Sequence, residues 1–190
     1  MKNRISTLFL IAVVGLMIGC DAAVVSPSEA PLVMDEASAA KAGTQGVFQH
    51  EAGTQGVLQH ELAQVRRATA RYRNVQNALD DDYAIIIVDG VDLCVTGQGC
   101  HYLKEVLVDG TFDPENPEIL LYAPNPHSGH LRLVGVEYAV PDTELEPSGF
   151  TGDQDVWELT GEPFNLWVLH AWVWQGNPNG VFADTNPHVP

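Results

Sequence analysis

The sequence predicts an α+β fold, with an N-terminal amphipathic helix packed on a mainly antiparallel β-sheet or sandwich. Three observations carry this expectation. An apolar stripe at helical spacing runs from Leu58 to Leu79. From Tyr83 onward the texture changes to short apolar runs separated by Gly, Pro, Asn and Asp. No helical pattern recurs between those runs, so the alternation that builds parallel sheets is missing.

The helix comes first. Leu58, Leu62, Val65, Tyr72, Val75 and Leu79 fall at three- and four-residue steps, with Thr69 in the remaining place. That spacing puts them on one face. Gln64, Arg67, Arg71 and Asn74 fall on another face. Arg66, Arg67, Arg71 and Arg73 concentrate positive charge on this one element, either as a solvated face or as a surface for anionic lipid headgroups. Asp80, Asp81 and Asp82 oppose the macrodipole of a helix C-terminus, so the helix is expected to end at or before Leu79.

The strands follow. Ile85–Val88 and Val91–Val95 flank Asp89-Gly90, a hairpin signal. Glu118–Ala123, Leu131–Val140 and Leu166–Trp174 are three further expected strands, separated by Pro- and Asn-rich turns. In the last of them, Leu166, Val168, His170, Trp172 and Trp174 alternate with Trp167, Leu169, Ala171 and Val173. Both faces are apolar, as in a strand covered on both sides, and this places His170 in the interior.

Charge excludes one class of partner. The 190 residues hold 9 basic and 25 acidic side chains. Nucleic acid is therefore not expected as a partner, because phosphate backbones are bound by clustered Lys and Arg. The hydrophobic content of 45% excludes a disordered polyanion. From Asn74 on, only Lys104 and Arg132 face 19 acidic residues, so a basic helix joins a strongly acidic body.

The N-terminus carries an address. Lys2 and Arg4 precede an apolar run from Ile5 to Gly19, broken only by Ser6 and Thr7. It is shorter than the ~20 residues of a membrane span and fits the apolar region of a secretory signal. The run closes on Leu16-Met17-Ile18-Gly19-Cys20 and turns polar at Asp21. Residues 1–21 resemble a bacterial lipoprotein signal peptide with its lipobox, with Met17 where that class usually has Leu. The resemblance implies cleavage before Cys20, a diacylglyceryl thioether on its sulfur and an acylated amino terminus. The implied partner is the lipid bilayer, held by acyl chains at about 0.8 kcal/mol per buried CH₂. Asp21 resembles the inner-membrane retention signal of Gram-negative lipoproteins, which implies the periplasmic face of the inner membrane.

Residues 21–41 are rich in Ala, Ser, Pro and Glu, and a tandem decapeptide repeat follows at 42–61, its copies differing only at Phe48 and Leu58. Two copies of this period do not make a solenoid. The repeat lengthens a tether, or presents His50 and His60 to a metal. The expected organisation is a signal peptide at 1–19, a lipid-anchored flexible tether at 20–57, and a single globular domain at 58–190.

The body resembles a family of uncharacterised bacterial secreted and lipid-anchored proteins over about residues 62–189. It is carried by Ala68-Thr-Ala-Arg-Tyr-Arg-Asn-Val75, Gly99-Cys-His-Tyr102, Leu131-Arg-Leu-Val-Gly-Val-Glu-Tyr138, Leu169-His-Ala-Trp172 and Asn177-Pro-Asn-Gly-Val-Phe-Ala-Asp-Thr-Asn-Pro187. Thr185 departs from the family pattern, which has an aromatic there. No activity transfers with the resemblance.

With Cys20 assigned to lipid, Cys94 and Cys100 form an even pair, and export favours a disulfide between them. The C-x₅-C-H spacing does not fit haem attachment, and a zinc knuckle requires closer cysteines and more ligands. No G-x-S-x-G, H-E-x-x-H, phosphate-loop or dinucleotide fingerprint is present, and Asp89–Asp92 lacks the ligands of a calcium loop. The candidate constellation is His101, Glu137 and His170, a possible His₂Glu metal set. The same groups can instead be an acid/base pair with an orienting partner. They can also be structural, His170 bonded in the core to backbone or Tyr, and Glu137 paired with Arg132 or lying on a solvated face. His127 and His130 lie nearby in a Pro/Gly loop. No cofactor is assigned outright; a divalent metal such as zinc is the one the residues suggest. The expected function is a membrane-anchored envelope lipoprotein that binds a ligand or partner. The alternatives are a metal-binding protein, a metal-dependent enzyme or a purely structural component. Separations beyond about 8 Å within the trio would exclude shared metal ligation.

Overall fold

Leu58, Leu62 and Val65 repeat at helical spacing because they cover one side of a sheet, and the fold is organised around that contact. The structure is a computed structural model describing residues 36–143 and 145–190, with side chains described from Gly53 onward. The signal segment 1–19, Cys20 and the tether up to residue 35 lie outside the described residues.

Helix α1 spans Glu36–Thr69, a 3₁₀ turn spans Ala70–Arg73, and α2 spans Val75–Asp80. Two expectations change here. The tandem repeat and residues 36–57 are helical rather than irregular tether. The four glycines of the repeat cost about 1 kcal/mol each, but helix growth is cooperative once the docked C-terminal half has nucleated it. The stripe from Leu58 to Leu79 is also not one continuous helix. Asn74 adopts an extended conformation (φ −94°, ψ 113°), and its Oδ1 accepts from Gln76 N at 3.1 Å as the cap of α2. The carbonyl of Tyr72 accepts the Tyr122 hydroxyl instead of continuing the helix. α2 ends at Asp80, one residue beyond the expected stop. The next carboxylate, Asp81, is offset by Arg71 at 3.0 Å and by the Tyr72 hydroxyl at 2.8 Å.

The strands are β1 (Ala84–Ile85), β2 (Ile87–Val88), β3 (Val91–Asp92), β4 (Cys94–Val95), β5 (Gly99–Leu103), β6 (Ile119–Pro124), β7 (Leu131–Pro141), β8 (Glu158–Leu159) and β9 (Leu166–Ala171). All pairings are antiparallel, in the order β1-β5-β6-β7-β9-β8, with β4 also paired to β5. The expected α+β architecture therefore stands.

The two expected strands around Asp89-Gly90 are each broken in two. Ile86 and Leu93 face each other across the break, Leu93 N donating to Ile86 O at 2.7 Å. The small β2–β3 hairpin projects beyond them, and Asp89 and Gly90 both have positive φ, as a two-residue primed turn demands. The Trp-rich strand ends at Ala171 instead of Trp174, because Trp172 N turns away to Val181 O. β5 was not expected at all.

β7 contains the decisive irregularity. Leu121 pairs with Gly135, but Tyr122 pairs with Leu133, so Val134 is an extra residue. Such a bulge reverses the inside–outside alternation beyond it. Leu131 and Leu133 thus join Val136, Tyr138 and Val140 on the helix side, while Val134 and Ala139 pack on the other. Unbroken alternation along 131–140 would put Glu137 on one face with Leu131, Leu133 and Ala139; the bulge keeps it with Ala139 and turns the two leucines to the other side. Gly135 fits closely there: a Cβ would lie 3.1 Å from both Ala171 O and the Trp172 ring, so the neighbours would have to give by a few tenths of an ångström.

On the helix side, Leu58, Leu62, Val65 and Ala78 pack with Tyr102, Leu120, Tyr122, Tyr138 and Leu169. The tyrosines keep their hydroxyls satisfied as they are buried: Tyr83 donates to Pro117 O at 2.8 Å and Tyr138 to Pro114 O at 2.9 Å. Polar contacts hold the helix in register. Arg66 Nε donates to Val173 O at 2.8 Å, Trp174 Nε1 donates to Thr69 Oγ1 at 3.0 Å, and Glu61 accepts from Thr151 N and Oγ1, each at 2.9 Å.

Leu62 is 2% exposed at the centre of this contact. Leu62→Ala is expected to cost about 2–5 kcal/mol in urea unfolding. Arg67→Ala, on the exposed side of the same helix, should stay within about 0.5 kcal/mol. Equal effects would contradict the docked face.

Candidate metal centre

The face of the sheet away from α1 holds three polar side chains in apolar surroundings. His101 stands on β5, Glu137 on β7 and His170 on β9. Glu137 and His170 are direct cross-strand partners. His101 reaches them across β6, beside Ile119, itself the cross-strand partner of Glu137. All three are buried, at 4%, 5% and 4% exposure.

Their donor atoms converge. His101 Nε2 lies 3.3 Å and His170 Nε2 3.9 Å from the same atom, Glu137 Oε2. One ligand atom from each residue lies within 4.8 Å of the others. Donors around a tetrahedral zinc at about 2.1 Å sit roughly 3.4 Å apart, so small rotations close the trio on an ion. Glu137 Oε2 and His170 Nε2 have no hydrogen-bond partner despite complete burial. Orphaned buried polar atoms are costly, and a shared cation satisfies them together. Glu137 is not paired with Arg132, whose Nη1 donates to Gln175 instead.

The outer contacts orient the rings. His101 Nδ1 lies 3.3 Å from Leu93 O, which favours a proton on Nδ1 and a lone pair on Nε2 facing the centre. His170 Nδ1 lies 3.8 Å from Asp184 Oδ1, and Gln98 Nε2 holds that same oxygen at 2.7 Å. His170 also stacks on Trp172 at 5.7 Å between ring centroids. Leu93 is set beside β5 by its neighbour: the disulfide joins Cys94 to Cys100, its direct partner across β4 and β5. The expected cysteine pair is thus present, one residue from each of two site-forming positions.

Burial sets the charge state. Desolvation, then the charges of Asp184, Glu118 and Glu158, push the Glu137 carboxyl up to about 8. Desolvation and then His101 push His170 down to about 3. Desolvation lowers His101 as well, against the opposing pull of the Leu93 and Gly99 carbonyls. All three groups favour their neutral forms at pH 7. Two neutral imidazoles and an ionisable carboxyl are the donors that borderline divalent ions take. The trio borders a cavity of about 200 Å³ lined by Ile86, Leu93, Phe164, Val168, Glu158 and Asp184 among others. One side of the donor set therefore faces space for a further ligand.

His127 and His130 are exposed in the β6–β7 loop and do not join the cluster, and His60 is exposed on α1. The side chain of His50 lies outside those described. Sequence reasoning missed Asp184, Gln98 and the Leu93 carbonyl. Asp184 stood within the Phe-Ala-Asp-Thr run already singled out, but its loop has no periodicity to show which way it faces. The chain matches no family model, no curated protein and no solved structure in the comparisons. Function is therefore read from the residues.

The neutral cluster has a pH signature in chelator-treated protein. Glu137 holds its proton more tightly folded than unfolded, so its stabilisation is full below pH 4.5 and is lost as pH rises through about 8. His101 and His170 have the opposite sign: their stabilisation is full above 6.5 and is lost as pH falls through their lowered folded values. Glu118, raised to about 7 chiefly by burial, adds to the falling limb. Between pH 7 and 8 the unfolding free energy should fall by up to about 1.4 kcal/mol per unit from Glu137. Glu137→Gln should remove that part of the slope. An unchanged slope in the variant contradicts a protonated Glu137.

Proposed function

We propose that this chain is an exported, lipid-anchored protein whose body binds one divalent transition-metal ion, zinc by its donor set, through His101, Glu137 and His170. The observation that carries the reading is the meeting of three buried donors with two of their atoms lacking any hydrogen-bond partner. A histidine kept for packing has its nitrogens satisfied, and His170 Nε2 does not. The ring contacts to Leu93 O and towards Asp184 are those that orient ligating imidazoles.

Within this reading the protein is a ligand-binding module of the bacterial envelope, with the metal as its ligand. The adjoining cavity favours a second reading, a metal-dependent enzyme, because catalytic zinc sites keep one position open beside such space. The anchor rests on the lipobox-like segment ending at Cys20. Among the described residues no helix is long and apolar enough to cross a membrane.

Elemental analysis and calorimetric titration test the metal. We expect one zinc per chain and a melting temperature that rises with zinc concentration. His170→Ala and Glu137→Ala should abolish both effects, while His127→Ala leaves them intact. A preparation that takes up neither zinc nor other divalent ions ends the proposal. The anchor is tested separately by incorporation of a fatty-acid analogue. Label should appear on the wild type and vanish in Cys20→Ala; label that survives the substitution refutes the assignment.

A further inference from the structure

A second cleft, sharing no lining residue with the metal cavity, lies where the 3₁₀ turn meets the β6–β7 loop. It has a volume of about 430 Å³ and is lined by Arg73, Asn74, Asn125, Arg132, Leu133 and Trp174. Its polar side chains have one property in common: each has an uncommitted N–H group.

Arg132 uses Nη1 on the side-chain Oε1 of Gln175, and its Nε is buried with no partner. The Nε–Nη2 edge of the guanidinium, the side that matches two oxygens of one anion, is thus uncommitted. Arg73 lies over the Trp174 ring, 5.5 Å from its centroid, and Trp174 is held in turn by Thr69. Asn74 Oδ1 already accepts from Gln76 N. Asn125 Oδ1 accepts from His127 N at 2.9 Å and Ser128 N at 3.3 Å. Asn125 Oδ1 is thereby saturated, and both carboxamides keep their NH₂ ends free to donate. Among the described residues the one arginine–carboxylate pair is Arg71–Asp81, so neither guanidinium of the cleft is neutralised. Two uncompensated cations sharing a cleft repel each other, and in a body this acidic a carboxylate partner was abundantly available.

We propose that this cleft binds an oxyanion of the phosphate class. Two guanidiniums match the charge of a dianion, and four N–H-bearing side chains match the several acceptor oxygens of a tetrahedral group. The body as a whole repels anions, so binding here reports these local donors rather than net charge. The phosphate can belong to a soluble phosphorylated molecule or to a lipid headgroup; both present anionic non-bridging oxygens to the guanidiniums.

The test uses the full chain in neutral detergent micelles, titrated with inorganic phosphate by calorimetry against a chloride control of equal ionic strength. Saturable binding is expected, weakened about tenfold or more in Arg132→Gln and in the exposed Arg73→Gln, in line with the loss of a charge-assisted hydrogen bond. Arg132→Lys should keep the charge, lose the fork and fall between. Near-ultraviolet circular dichroism of the tryptophans checks that each variant is folded. Repeating the titration with phosphatidylglycerol in the micelle separates the sources. Suppressed phosphate binding assigns the cleft to a headgroup, and unchanged binding assigns it to a soluble oxyanion. The absence of any saturable binding, or binding retained in folded Arg73→Gln and Arg132→Gln, overturns the proposal.

Discussion

The extra residue in β7 is the constraint on which the rest of the structure depends. Before Val134 the strand turns Leu131 and Leu133 towards the helices, and after it the strand turns Val136, Tyr138 and Val140 the same way. Without the bulge, one of these two groups would point away from α1, and the core would lose half of its central strand. The same shift carries Glu137 to the opposite face, between His101 and His170. One backbone irregularity thus serves both sides of the sheet. Gly135 suits it, because the carbonyl of Ala171 and the ring of Trp172 leave a side chain little space.

The polar face has a consistent electrostatic logic. A carboxyl and two imidazoles in an apolar setting avoid the cost of buried charge by remaining neutral, which is the direction in which all three shift. A bound cation reverses this balance, since it favours the carboxylate and needs the imidazole lone pairs that are already free. The supporting contacts come from distant parts of the chain. Leu93 is held at the edge of β5 beside the Cys94–Cys100 disulfide, and Asp184 arrives from the C-terminal loop with Gln98 bonded to it.

Three arginines of the basic helix make contacts within the molecule. Arg66 pins α1 to the chain after β9, Arg71 balances Asp81, and Arg73 rests on Trp174. Periodicity marked these side chains as lying off the apolar stripe, but spacing along one helix says nothing of which loops return to meet it. The same limit applies to β5. Gly99-Cys-His-Tyr-Leu103 has no strong alternation of apolar and polar residues, and it becomes a strand because β6 and the disulfide partner lie beside it. The breaks at Ile86 and Leu93 were equally invisible, since both are apolar residues within strand-like runs and only the fold bonds them to each other and to His101 on β5.

What the sequence determined by itself was the class of fold, the docked helix face, the Asp89-Gly90 turn, the cysteine pair and the three polar residues that converge in the candidate site. These follow from local chemistry: residue spacing, positive-φ preferences and the few side chains able to ligate a metal. What only the tertiary structure decided was the break at Asn74, the helical state of the repeat, the bulge that re-aims Glu137, and the outer partners Leu93 and Asp184. Each of these depends on contacts between segments far apart in the chain. A pattern confined to one segment records which residues must be buried, while the packing of neighbouring segments decides where the backbone must depart from regularity to bury them.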